Sequence, residues 1–158
     1  MSPSSEQSSH SVENSGTDSP PCKLSIETIV ETAIYGDCLD ELERFYTDVM
    51  NLPVMAKELG RHVFFAAGPS SVLLVFNPQT TLQGHVFPPH GATGPGHVAF
   101  GVRHETLDAW RAKLQAHEIE IEKEHHWPKG GISLYLRDPA GNSVELITPG
   151  VWGTPAGW

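Results

Sequence analysis

The sequence has few of the features that mark several large protein classes. Its 158 residues contain only two cysteines, Cys22 and Cys38, and these form neither a CxxC pair nor a zinc-knuckle pattern. A disulfide framework is therefore excluded. No apolar run approaches the ~18 residues that a membrane span needs. The longest such run, residues 71–76, has the length of a single strand.

Basic residues are scarce as well. Ten Lys and Arg stand against 19 Asp and Glu, which gives a formal net charge of −9 at pH 7. A surface this acidic repels phosphate backbones and anionic lipids, so we expect neither a nucleic acid nor a membrane as partner. The length suits one compact domain or two small fused modules.

The N-terminal residues have almost no apolar side chains. Residues 1–24 are rich in serine, and such a segment cannot bury enough area to offset its ordering entropy, so we predict a disordered tail. It lacks the basic and apolar regions of a secretory signal, and it has acidic residues but no arginine, unlike a transit peptide. We therefore expect a cytoplasmic protein with one folded domain over residues 25–152 and a C-terminal tail over residues 153–158.

A strand, a helix and three strands follow one another twice along the chain. Both helices are predicted from apolar residues at helical spacing, and the strands from short apolar or alternating runs bounded by Gly, Pro and Asn. The first module, residues 26–78, has strands at 26–35, 54–57, 62–67 and 72–77 and a helix at 39–50 that Asp37 caps. The second, residues 96–149, has strands at 96–102, 119–123, 133–137 and 143–148 and a helix at 106–116. A linker rich in Pro and Gly, residues 79–95, separates them.

The repeat aligns several residues that could carry chemistry. Alignment of the two modules places Glu31 opposite His97, and Leu73 opposite Glu145. A pseudo-two-fold axis would bring these four positions to one concave surface. Glu31, His97 and Glu145 each interrupt an otherwise apolar strand, and a buried carboxylate must be paired or bound to metal. Two carboxylates and an imidazole suit Mn²⁺, Fe²⁺, Ni²⁺, Co²⁺ or Zn²⁺. The alternative is that each residue lies on the solvent face of a half-exposed strand.

Three segments of the sequence resemble the vicinal oxygen chelate superfamily, which includes glyoxalase I, bleomycin-resistance proteins and extradiol dioxygenases. They are FYTDVMNLP at residues 45–53, GHVAF at 96–100 and RDPAGNSVEL at 137–146. The resemblance implies an α+β fold in which two tandem βαβββ modules form a cupped mixed sheet around a divalent metal ion, usually in a homodimer. By position, His97 and Glu145 match the family's metal ligands. Glu31 lies at the family's ligand position on the first strand, where His or Gln is common. Leu73 lies at the fourth position of the family's site.

These two departures bear on the reaction. Leucine cannot move a proton, so in a glyoxalase-type reaction that task falls to Glu31 or Glu145. Two carboxylates and a neutral imidazole also neutralise a divalent metal, which disfavours an extradiol dioxygenase acting on a catecholate. We expect an enzyme of the lyase, isomerase or dioxygenase type in which the metal acts as a Lewis acid on a small oxygenated substrate.

Further residues are candidates for contact with the substrate. They are Arg61, Phe65, Asn77, Trp127 and Tyr135. The rival hypothesis is a metal-free binder of small molecules, similar to the drug-sequestering bleomycin-resistance proteins, in which the three polar residues are satisfied by water or by one another. Metal content and the burial of Glu31 discriminate between the two.

Overall fold

The repeat predicted from the sequence is present as two four-stranded mixed sheets. The computed structural model describes residues 24–84, 86–154 and 157–158, so the predicted tail over residues 1–23 lies outside the described part. The first sheet has the strand order β1-β4-β3-β2 and the second β5-β8-β7-β6. In each, the outer pair β1/β4 or β5/β8 is parallel and the other pairs are antiparallel. The predicted α+β class with tandem βαβββ modules is confirmed.

The elements of the first module follow its apolar pattern. Its helix is α-helical at first and becomes a π-helix over Phe45–Val49 before Asn51, at φ 57°, ends it. Asp37 was predicted to cap this helix, which is wrong, because the N-cap residue is Cys38 and no side chain caps the first turn. The bounds are β1 Glu31–Tyr35, α1 Leu39–Arg44, β2 Val54–Glu58, β3 His62–Ala66, β4 Val72–Phe76 and, inside the predicted linker, α2 Pro78–Thr81.

The second module repeats this arrangement with one shift from prediction. The strand that follows its helix, β6, was predicted over residues 119–123, but it spans Lys123–His126. Ile119 instead donates its N–H to the carbonyl of Leu114 at the end of the preceding helix, so this stretch closes the helix before the strand begins. The bounds are β5 His97–Gly101, α3 Leu107–Ala116 after a 3₁₀ turn His104–Thr106, β6 Lys123–His126, β7 Ile132–Arg137 and β8 Ser143–Ile147. No helix among the described residues is long and apolar enough to cross a membrane.

Alternate residues of the inner strands form the core under the helices. Val63 and Phe65 of β3 and Leu134 and Leu136 of β7 are at most 1% exposed, as are their counterparts on β4 and β8. Because side chains alternate along a strand, the intervening residues lie on the opposite, concave face of each sheet. This face carries the candidate site.

The strand register corrects the repeat alignment by one residue. Glu31 pairs with Val72 as His97 pairs with Ser143, so Leu74, and not Leu73, is the counterpart of Glu145. Leu73 is fully buried in the core. A one-residue slip moves a side chain to the other face of a sheet. The fourth place on the concave face is nevertheless still a leucine.

A buried polar cluster ties the two modules together. The Tyr46 hydroxyl, on the first module's helix, donates to Asp138 Oδ2 at 2.9 Å in the β7–β8 turn. Asn142 donates to the same oxygen and to the Tyr35 carbonyl, and its Oδ1 accepts from the Gly96 N–H. Burial, and secondarily Asp138, raise the pKa of Tyr46 well above its usual value. The Asp-Pro-Ala-Gly-Asn turn is therefore a joint between the modules.

Candidate metal centre and substrate cleft

The strands β5 and β8 bring His97 and Glu145 together on the concave face. Glu145 is 5% exposed, and its Oε2 lies 3.4 Å from His97 Nε2. The other carboxylate oxygen, Oε1, is buried with no hydrogen-bond partner among the described residues. A buried carboxylate oxygen without a partner costs free energy unless a cation or donor meets it.

The tautomer of His97 defines which nitrogen faces the carboxylate. His97 Nδ1 lies 3.2 Å from the carbonyl oxygen of Ser143. A carbonyl only accepts, so Nδ1 carries the proton, and in the neutral ring Nε2 presents its lone pair to Glu145. Two acceptors that face each other across 3.4 Å repel each other unless a metal ion lies between them or a proton is added to Nε2. The site therefore fits a divalent metal ion by the chemistry of its donors.

Glu31 lies at the same cleft but does not complete a group of three ligands. It is the first residue of β1 and is exposed. Together with His97 it lines a cleft of about 690 Å³ at the β1 and β5 edges. Within residues 24–84, 86–154 and 157–158, no three His, Cys, Asp or Glu side chains are grouped as a metal ion would require. The role of Glu31 as a ligand stays a prediction.

The cross-strand neighbours of the fourth position differ between the modules. Glu145 pairs with Tyr135 in the second module, and in the first Leu74 pairs with Phe64. The ring of Tyr135 stacks beside His97 with centroids 6.5 Å apart. Burial, and then the Glu145 carboxylate, raise the pKa of Tyr135. Tyr135 thus lies beside Glu145, whereas the first module has only apolar side chains at the equivalent place.

The other predicted substrate contacts are dispersed. Asn77 accepts a hydrogen bond from the Gln79 N–H as the N-cap of α2, and Trp127 donates from Nε1 to Ser133 Oγ at 2.8 Å. Arg61 is half-buried, with Nε 3.6 Å from Glu58 Oε2. Phe65 is fully buried in the core, so it offers no surface to a ligand.

An aromatic cluster on the concave face of the first module was missed by the sequence analysis. His62 stacks on Phe64 with centroids 4.1 Å apart, and Phe76 meets both rings edge-on. The Tyr35 hydroxyl lies 2.9 Å from His90 Nδ1, which closes the cluster. Burial lowers the pKa of His62. The alternation of β3, which places Val63 in the core, was the signal that puts His62 on this face.

Comparison with known proteins gives consistent matches. A family model described as the Glyoxalase/Bleomycin resistance protein/Dioxygenase superfamily matches residues 28–146. A lactoylglutathione lyase from Agrobacterium tumefaciens is 42% identical, with a TM-score of 0.78 over 82% of this chain and 98% of that one. No match was found among curated proteins.

More distant structures share the fold. A glyoxalase/bleomycin resistance protein/dioxygenase from Nocardioides is 20% identical, with a TM-score of 0.65 over 87% of this chain and 92% of that one. A glyoxalase family protein from Bacillus anthracis is also 20% identical, with a TM-score of 0.62 over 80% of this chain and 98% of that one.

Proposed function

Because the chain belongs to the Glyoxalase/Bleomycin resistance protein/Dioxygenase superfamily, we propose that it is a divalent-metal-dependent enzyme with a glyoxalase-type lyase or isomerase activity on a small oxygenated substrate. One observation carries the proposal. The buried Glu145 carboxylate has an oxygen without a partner and faces the lone pair of His97 Nε2. In a metal-free binder Glu145 Oε1 would keep no partner, and Nε2 would face Oε2 favourably only with a proton added to the ring.

Two side chains would hold the ion, and a third is proposed. His97 and Glu145 are the pair that the strands bring together, and Glu31 is the proposed third ligand. This donor set suits Mn²⁺, Fe²⁺, Ni²⁺, Co²⁺ or Zn²⁺. When bound, the ion supplies Lewis-acid polarisation of two neighbouring substrate oxygens.

Glu145 and Glu31 differ in exposure, and we assign them different roles for this reason. Glu145 is buried and holds its position between His97 and Tyr135. Glu31 is exposed on the cleft, so it is the group that reaches a substrate C–H beside a carbonyl and takes its proton. Leu74 occupies the position equivalent to Glu145 in the first module, so this position offers no second base.

We also propose a cytoplasmic homodimer in which a second copy covers the segment before β1. In this segment Leu24, Ile26, Ile29 and Val30 are between 59% and 93% exposed. Large apolar side chains exposed this close together in the chain are typical of an interface. Glu31 follows directly, so that interface would adjoin the cleft, where a neighbouring copy can supply the donor that one chain lacks.

The named relative suggests the first substrate to test. Lactoylglutathione formation and breakdown should be followed on protein stripped by a chelator and reloaded with each of the five metals. We expect turnover to return with metal, and Glu145→Gln to lower it by more than the ~10–100-fold typical of residues that only support a ligand.

The matched control is Glu105→Gln, an exposed carboxylate in the 3₁₀ turn before α3 that does not line the cleft, and it should keep full turnover. Turnover that survives the chelator would contradict the proposal. Ligand binding without any uptake of metal would favour the metal-free small-molecule binder instead.

A further inference from the structure

The C-terminal segment folds back onto the concave face of the second module. The indole of Trp158 lies against Gly101, so close that a Cβ at this glycine would stand 2.7 Å from Cζ2 and overlap Cη2. Only a residue without a side chain allows this approach. Trp158 thereby covers the end of β5, four residues along the strand from His97.

Hydrogen bonds fix the segment in this position. The Thr154 N–H donates to the Trp158 carbonyl at 2.8 Å, and the Trp158 N–H donates to Thr154 Oγ1 at 3.0 Å. The Gly150 N–H also donates to the Gly157 carbonyl at 2.7 Å. The backbone of Trp158 is thus hydrogen-bonded to Thr154, and that of Gly157 to Gly150.

Comparison of the two modules shows which side chain of the first module corresponds to the Trp158 indole. Tyr35 pairs with Phe76 as Gly101 pairs with Ile147, so Tyr35 and Gly101 are equivalent positions. In the first module the Tyr35 ring stacks on Phe76 with centroids 6.4 Å apart. In the second module the glycine leaves this place open, and Trp158 supplies an aromatic ring from the C-terminal segment.

Trp158 lines the same cleft as the proposed catalytic groups. The cleft of about 690 Å³ is bounded by Trp158 and Trp152 together with Glu31 and His97. Among the described residues that line it, Glu31 is the only Asp, Glu, Lys or Arg. The lining therefore offers no Lys or Arg to pair with an anionic substituent, whereas an aromatic ring can stack against an indole.

We propose that Trp158 determines substrate specificity, and that the cleft selects an oxygenated compound bearing an aromatic substituent. The ring lies against the Trp158 indole while the neighbouring oxygens point toward His97. This assignment rests on the proposed function, because it takes the oxygen-binding end of the cleft to be the His97–Glu145 pair.

The test uses two neutral ketones that differ only in the substituent. Hydroxyacetone carries a methyl group and 2-hydroxyacetophenone a phenyl group beside the same two oxygens. The metal-loaded protein, labelled with 5-fluorotryptophan at its four tryptophans, is titrated with each and followed by ¹⁹F NMR. Trp158→Phe assigns the Trp158 resonance.

We expect the phenyl ketone to bind about tenfold more tightly than the methyl ketone and to shift the Trp158 resonance. Trp110, on α3 outside this cleft, is the internal control and should not move. Trp158→Ala should weaken binding of the phenyl ketone and reduce the preference to within about twofold, while Trp158→Phe should retain most of the preference. Unchanged resonances of the other tryptophans would show that the variant is folded.

Equal affinity for the two ketones, or a Trp158 resonance that does not respond to the phenyl ketone, would overturn the specificity assignment even if metal and turnover are normal. Repeating the titration on chelator-treated protein separates the two hypotheses. If the proposed function fails but this inference holds, the phenyl preference and the Trp158 shift persist without metal.

Discussion

Asn142 is the residue whose removal should damage the joint between the modules most. It is 1% exposed. Its side chain accepts from the Gly96 N–H at 2.7 Å and donates to the Tyr35 carbonyl at 3.1 Å and to Asp138 Oδ2 at 2.8 Å. The substitution Asn142→Ala removes one hydrogen bond from each of these partners, of which Asp138 is buried and Gly96 and Tyr35 are partly buried.

The magnitude follows from these three bonds. A neutral hydrogen bond contributes about 1 kcal/mol and one to a charged group about 1.5–3 kcal/mol, so Asn142→Ala should lower the free energy of unfolding by about 3–5 kcal/mol. Tyr46→Phe removes only the bond to Asp138 Oδ2, which keeps its bond from Asn142. We expect a smaller loss there, about 1.5–3 kcal/mol.

Urea unfolding with linear extrapolation measures both losses. Asn77→Ala is the matched control, because this asparagine caps α2 through one bond to the Gln79 N–H and should cost about 1 kcal/mol. If Asn142→Ala costs no more than Asn77→Ala, or less than Tyr46→Phe, the joint does not hold the modules as described.

Two further outcomes are expected. Burial lowers the pKa of His62, so the folded protein resists its protonation. The stability it contributes is present above the unfolded value of about 6.5 and is lost as the pH falls through the lower folded value. His62→Phe should therefore flatten the loss of stability on acidification, and an unchanged slope in urea unfolding at several pH values would refute this. If two copies share one site, mixing Glu31→Gln with Glu145→Gln should restore turnover that neither variant has alone, and no recovery in the refolded mixture would place all ligands within one chain.

Much of the fold follows from periodicity alone. The alternation of β3 and β7 and the helical spacing around Leu42, Phe45 and Val49 predicted the βαβββ repeat because burial selects apolar residues at these periods. The sixth strand was misplaced since Ile119 and Ile121 alternate with acids as a strand would. Their side chains pack on the core from the extended segment that follows α3, where the ladder with β7 has not yet begun.

The candidate site was predictable only in part. Polar residues within apolar strands singled out His97 and Glu145, and the structure brings these two together. The counterpart of Glu145 was placed one residue early, at Leu73, because the shared Ser-Val at residues 71–72 and 143–144 favoured an offset of 72, whereas the strand register gives 71. The approach of Trp158 to Gly101 depends on the path of the C-terminal segment, for which neither residue carries a local signal.

The central claim is that His97 and Glu145 bind a divalent metal ion. Elemental mass spectrometry on protein purified without a chelator or affinity tag tests it most directly. We predict close to one transition metal per site, lost in Glu145→Gln and retained in Glu105→Gln. Wild-type protein that contains no metal and takes up none of Mn²⁺, Fe²⁺, Ni²⁺, Co²⁺ or Zn²⁺, or a Glu145→Gln variant that keeps its metal, would contradict the claim.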